Sequence, residues 1–325
     1  MKIIALEEHI FPRDILESEG LSLGSPMERR AKELDDLPAR LQIMDDAGID
    51  VQILSAVGQF IQELEPQTSI AVSRQVNDRM AKTVSDHPDR FRAFATLPMA
   101  DPQGAVAEFR RAIEELGFVG AMIHGQTHGK FLDHPSFQPV LQCAEGFGVP
   151  IYLHPGLPPT AVREAYFSGL KPPVATLLAT GGWGWHAECG MHVLRMIVDG
   201  VFERHPVLQL IVGHMGEGLP FSLTRADDLL TPMLKGHALS VAETAQRNLH
   251  ITTSGYTSVA PLQCALTVFG VDRIMFSVDY PYSATDKAVD FLNQAPISPA
   301  DRVKIASGNA QRLLRLGSVG VRTRT

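Results

Sequence analysis

The chain has 325 residues, a formal net charge of −7, 45% hydrophobic and 20% charged residues. That is the make-up of an ordinary globular protein, long enough for one large α/β barrel. An acidic balance with no Lys/Arg-rich tract excludes a nucleic-acid surface, and no apolar run reaches membrane-spanning length.

The opening run "KIIALEEH" (Lys2 to His9) predicts a strand that ends in two carboxylates and an imidazole. Charged groups are rarely buried without a partner, so this end implies either a surface or a cation. Seven more short apolar runs follow: Val51–Val57, Arg90–Pro98, Phe118–Gly125, Val149–Pro155, Leu208–Gly216, Leu249–Gly255 and Arg273–Pro281. Most are near-continuous rather than alternating, as in a parallel sheet covered by helices. The segments between them carry helical period. "SIAVSRQVNDRMAKTVSDHP" is expected to start at a capping Ser69, and "DPQGAVAEFRRAIEELGF" at Asp101 with Gly117 as its stop. Strand and helix repeated eight times predict a (β/α)8 TIM barrel, with an open doubly wound sheet as the competing fold. The Gly-, Pro- and aromatic-rich stretch after strand five, "GLPPTAVREAYFSGLKPPVATLLATGGWGWHA", is expected to be an inserted loop region over the active face. No linker divides residues 1–325, so one domain is expected. The basic tail "RLLRLGSVGVRTRT" is short and expected to fray.

Cys143, Cys189 and Cys264 are odd in number and far apart, which suits reduced thiols. "MKIIALEEHI" is too short and too acidic for a signal peptide. A cytoplasmic location is therefore expected.

In barrels the chemistry lies at the C-terminal strand ends. Here these ends carry Glu7 and His9 after strand one, His124 after strand four, His154 after strand five, His214 after strand six and Asp279 after strand eight. Alternation places Glu7 and His9 on one side of strand one and Glu8 on the other, facing a helix. Glu7, His9, His154 and Asp279 form a set fit for one divalent ion, Zn or Mn. In "GHMGEGLP", Glu217 is placed to hydrogen-bond His214 and fix its tautomer, and the glycines let backbone approach a ligand. His186 and His192 flank the inserted region and are expected to be structural.

The segments "ALEEH", "GFVGAMIHG", "YLHP", "LRMIVDGVFERHPVLQLIVGHMGEGLPF", "HITTSG" and "RIMFSVDYPY" resemble the amidohydrolase-superfamily decarboxylases. This branch includes γ-resorcylate, 2,3-dihydroxybenzoate and 5-carboxyvanillate decarboxylases and, more distantly, aminocarboxymuconate-semialdehyde decarboxylase. The resemblance runs from strand one through "NAQRLLRL". It implies a metal held by Glu7, His9, His154 and Asp279, with Asp279, His214 and Glu217 as catalytic residues. It places Arg225 on the substrate and Tyr282 in the pocket wall; His124 is a further candidate substrate contact. The implied reaction is metal-dependent, non-oxidative decarboxylation of an aromatic acid of ortho-hydroxybenzoate type, in a homodimer or homotetramer. The alternative is a metal-dependent hydrolase or hydratase acting on a lactone, amide or unsaturated acid. Three stretches depart from the family pattern: "SAVGQFIQ" after strand two, His124 where relatives often have Asn, and the inserted region. All three shape the substrate pocket.

Overall fold

In a computed structural model, residues 1–21 and 30–317 are described. The strands are β1 (Ile4–Ile10), β2 (Val51–Ala56), β3 (Phe91–Ala93), β4 (Ala95–Thr96), β5 (Ala121–His124), β6 (Ile151–His154), β7 (Leu210–Val212), β8 (Leu249–Thr252) and β9 (Ile274–Met275). Every pairing is parallel, in the orders β1-β2-β3 and β4 through β9. The two runs meet on both sides. The Phe94 N–H donates to the Leu54 carbonyl at 2.9 Å, and Leu6 forms a parallel bridge with Ser277. The barrel is thereby closed, with helices in the crossovers.

The third expected strand is thus two, β3 and β4, interrupted at Phe94. The Phe94 ring joins Ile4, Leu6, Val51, Ile53, Met122, Tyr152, Ile211 and Met275 in a cluster of inward-facing side chains. Such layers fill a small barrel, so it is a packed core and not a pore. A larger cluster lies between strands and helices, with Ala5, Leu54, Ile123, Leu153 and Val212 on its strand side and Val72, Phe109 and Val193 on its helix side.

Two local expectations are corrected. The helix expected to begin at Ser69 begins at Pro66, since proline suits the first turn, where no N–H partner is needed. Ser69 instead lies inside it, fully buried, with Oγ donating to the Ile61 carbonyl at 2.8 Å. The region after β6, the fifth strand of the sequence-based count, is not an irregular loop. It forms the helices Thr160–Phe167 and Pro172–Ala179 before the longer helix Gly184–Val198. Tyr166 and Leu177 on these short helices, and Trp183 at the start of the longer one, are largely exposed. Of the basic tail, residues 318–325 lie outside the described residues.

Candidate active site

Strand β1 delivers the first groups through a distortion. Ile4 and Leu6 point into the barrel, so strict alternation would send Glu7 outward. Instead the pairing with β2 shifts between Ala5 and Glu8, and Glu7 takes a left-handed backbone with φ 56°. A bulge of this kind re-aims a side chain. It turns Glu7 and His9 to the mouth of the barrel and Glu8 to the helix side. There Glu8 accepts from the Val278 N–H at 2.9 Å and from Gln52 Nε2 at 3.2 Å. Burial raises the Glu8 pKa well above normal, and Arg40, also buried, opposes that rise.

Glu7 is fully buried. Its Oε2 accepts from Tyr152 Oη and Ser254 Oγ, while Oε1 has no hydrogen-bond partner. Oε1 lies 3.2 Å from His154 Nε2 and 3.6 Å from His214 Nε2. Burial works against its charge, yet His214, His154 and His9 hold its pKa far below the usual range. His154 Nδ1 donates to the Pro155 carbonyl at 2.7 Å, which leaves Nε2 with a free lone pair in the neutral ring. His9 Nε2 is 3.3 Å from Asp279 Oδ1, and its Nδ1 meets Ser55 Oγ at 3.3 Å. Ligand atoms of Glu7, His9, His154 and Asp279 all lie within 4.8 Å of one another. Two carboxylates, two imidazoles and an orphaned buried carboxylate oxygen fit a divalent cation.

Beside this cluster runs a chain of side-chain hydrogen bonds. Glu217 joins His214 Nδ1 at 2.7 Å through Oε1 and His186 Nδ1 at 2.5 Å through Oε2. His186 Nε2 in turn meets the Gly181 carbonyl at 3.0 Å. Burial disfavours charge on His214, but Glu7 and Glu217 raise its pKa well above normal. Burial likewise opposes ionisation of Glu217, and His214 and His186 hold its pKa down. For Asp279 burial is again outweighed, by His214 and His9, and the pKa is lowered. His214 Nε2 stands 3.8 Å from Asp279 Oδ2. His186, His214 and Glu217 have the residue types of a second metal site. Their facing atoms are already joined to one another, which suits a positioning chain.

The local backbone is built for these placements. Among the described residues seven non-glycines have positive φ, and Glu7, His214, Met215, Glu217 and Asp279 are five of them. Such conformations cost of order 1–3 kcal/mol each and gather where function requires them. Gly213 has no room for a side chain: a Cβ there would stand 2.8 Å from Glu7 Oε2 and 3.0 Å from Tyr152 Oη.

The His124 ring lies against His154, tilted by 47° with ring centroids 4.6 Å apart, and burial drives its pKa well below normal. Its Nδ1 is buried without a partner. The Tyr282 ring lies 5.7 Å from His9 with its hydroxyl buried and unpartnered, and burial raises its pKa. Trp185 approaches His154 at 6.5 Å, and its Nε1 is likewise unpartnered. Arg225 is not brought to the cluster. It is exposed on the helix Leu219–Leu230, and no hydrogen bond or ion pair joins it to another described residue. Trp185 and His186 are absent from the sequence-based site. They reach it from the first turn of the helix Gly184–Val198, and the run "GGWGWH" between two helical patterns was the available signal.

Taken with the barrel, this site defines a metal-dependent enzyme of the amidohydrolase class. The amidohydrolase family profile matches residues 9–316, and the chain belongs to that family. It is 36% identical to the γ-resorcylate decarboxylase of Rhizobium sp., over 96% of this chain and 98% of that protein. It is 35% identical to the decarboxylase orsB of Emericella nidulans, over 97% of each. Among solved structures, the dihydroxybenzoic acid decarboxylase of Polaromonas sp., with bound manganese and the inhibitor 2-nitroresorcinol, superposes with a TM-score of 0.87. That structure is 34% identical and covers 97% of each chain.

Proposed function

We propose that this chain, as one barrel domain, catalyses non-oxidative decarboxylation of an ortho-hydroxybenzoate. The observation that carries the reading is the orphaned, buried Glu7 Oε1 facing His154 Nε2 at 3.2 Å, within a set that also holds His9 and Asp279. Manganese in the Polaromonas relative favours manganese over zinc for this donor set. When bound, the ion supplies Lewis-acid polarisation and a template for the substrate's carboxylate and ortho-oxygen.

The side chains divide the remaining work. Tyr282 and Trp185 offer buried donors that lack partners, and His124 a buried ring nitrogen, so all three can bind and orient the ring. His214 holds a proton at Nε2, and Glu217 stabilises that charge from the Nδ1 side. The proton passes to Asp279 Oδ2, 3.8 Å away, and from there to the ring carbon that bears the carboxylate. The carbon–carboxylate bond then breaks, its electron pair restores aromaticity, and carbon dioxide leaves. His186 holds Glu217 in place through its 2.5 Å contact.

We further propose a cytoplasmic homo-oligomer. Its support is the set of free cysteines and the apolar side chains left exposed at Tyr166, Leu177, Trp183 and Phe221, the last 90% exposed. Arg225, one turn beyond Phe221 on the same helix, then bears on substrate only if that face meets a second copy.

The test is carbon dioxide release by the manganese-loaded protein from a panel of hydroxybenzoates. Release from ortho-hydroxy members and none from their meta- and para-hydroxy isomers supports the reading. No release from any member, with manganese verified at one ion per chain, refutes it.

A further inference from the structure

At the opposite end of the barrel a second cavity opens, of about 790 Å³. Its wall includes the residues that lead into β6, β7 and β9, and the start of β8, so it lies on the N-terminal face, remote from the metal cluster. Three guanidinium groups line it: Arg273, Arg312 and Arg315. None of them forms an ion pair among the described residues.

The acids at the same cavity are already engaged. Asp272 pairs with Lys304 at 2.9 Å. Glu145 meets His205 Nδ1 at 3.0 Å and accepts from the Val207 N–H at 3.1 Å. The arginines are instead fixed by neutral groups. Arg273 Nη1 donates to Gln209 Oε1 and to His250 Nε2, both at 2.9 Å. Arg312 Nη2 donates to the Asp272 carbonyl at 2.6 Å, and Arg315 Nη1 to the Phe147 carbonyl at 3.3 Å.

The second observation is His250. It is only 4% exposed and lines the cavity. Since its Nε2 accepts from Arg273, the neutral ring must carry its proton on Nδ1, and that buried atom has no partner. Burial and the charges of Arg273 and Arg312 depress the His250 pKa to about 3, so the ring is neutral at physiological pH. Through its Nε2 the ring holds the Arg273 guanidinium in place in the cavity wall. Gly148 keeps one wall open, because a Cβ there would stand 2.5 Å from Arg315 Nη2.

We propose that this cavity is a binding site for a phosphate dianion, free or as the terminal group of a phosphate monoester. Guanidinium forks match phosphate oxygens bidentately, and three arginines in one cavity wall without ion-pair partners favour a dianion over a monoanion. Its place on the N-terminal face suits an effect on stability rather than on chemistry.

Calorimetric titration of the manganese-loaded protein with inorganic phosphate tests the site, with glycerol 3-phosphate as a second arm. The expected result is saturable one-to-one binding, weakened at least tenfold in Arg312→Gln/Arg315→Gln, whose decarboxylation is unchanged. Arg312→Lys, which keeps the charge and loses the fork, should fall between the two and serves if the double variant does not fold. Tighter binding of the ester assigns the site to a monoester, and equal or weaker binding assigns it to free phosphate. Absence of saturable phosphate binding by the wild type, or binding undiminished in both variants, overturns the proposal.

Discussion

Replacing Glu217 by glutamine isolates the positioning chain without touching the four proposed metal ligands. Glutamine keeps the shape and can still accept from His214 Nδ1, but it removes the negative charge now 2.7 Å from that nitrogen. A hydrogen bond to a charged partner contributes about 1.5–3 kcal/mol, against about 1 for a neutral one. The difference, roughly 1–2 kcal/mol, falls on the state in which His214 carries its proton. The second contact, to His186 at 2.5 Å, is weakened in the same way. A total near 2–4 kcal/mol corresponds to a drop in kcat of about 30- to 900-fold. The assay is carbon dioxide release at saturating substrate, with manganese content measured on the same sample. The account expects the loss in kcat, KM within a factor of a few, and full metal occupancy. A kcat within threefold of wild type would refute the role of Glu217. A loss that merely follows lost manganese would also refute it, by making Glu217 a support of the metal site.

Two further outcomes follow from the same geometry. Tyr152→Phe and Ser254→Ala each remove a donor to Glu7 Oε2, and partners of a metal-binding carboxylate typically contribute 10- to 100-fold in metal affinity; competition titration with a chelating dye should show a loss in that range, and unchanged affinity in both variants would dissociate Glu7 from the metal. His192 is fully buried, accepts from the Leu132 N–H at 2.8 Å, and is held near pKa 3 by burial and by Arg195. The unfolded chain, with a pKa of about 6.5, binds the extra proton first, so stability is retained above pH 6.5 and lost as pH falls from there toward 3. Between pH 7 and pH 5 the loss from this residue is about 2 kcal/mol. Urea unfolding at the two pH values should show a smaller difference in His192→Gln than in wild type, and equal differences would remove His192 as the cause.

How much was legible in the sequence depends on whether a residue acts through its own strand end. The order of strands and the polar residues that close them mark out Glu7, His9, His154, His214 and Asp279, because barrel strands all present their C-terminal ends to one face. The same reasoning places Glu7 and His9 on one side, but for an incomplete reason. Counting from the inward-facing Ile4 and Leu6, alternation would have turned them away, and only the bulge at Glu7 restores them. A bulge is a pairing property of two strands far apart in sequence, and neither strand shows it alone. Tyr152 and Ser254 hold Glu7 from 145 and 247 residues away, so no local pattern ties them to it. His186 and Trp185 enter from a region that reads as loop, since its Gly and Pro content masks short helices. Arg225 shows the converse: its motif is plain in sequence, yet its helix presents it to solvent in the single chain.

The central claim is that a proton held by His214 and Asp279 replaces the carboxylate on the ring carbon. The most direct measurement runs the manganese-loaded protein with an ortho-hydroxybenzoate in deuterated water and locates deuterium in the product by NMR. One deuterium at the former carboxylate carbon, in step with carbon dioxide release and absent with Asp279→Asn, is the predicted result. Product with hydrogen at that carbon, or full turnover by Asp279→Asn, would contradict it.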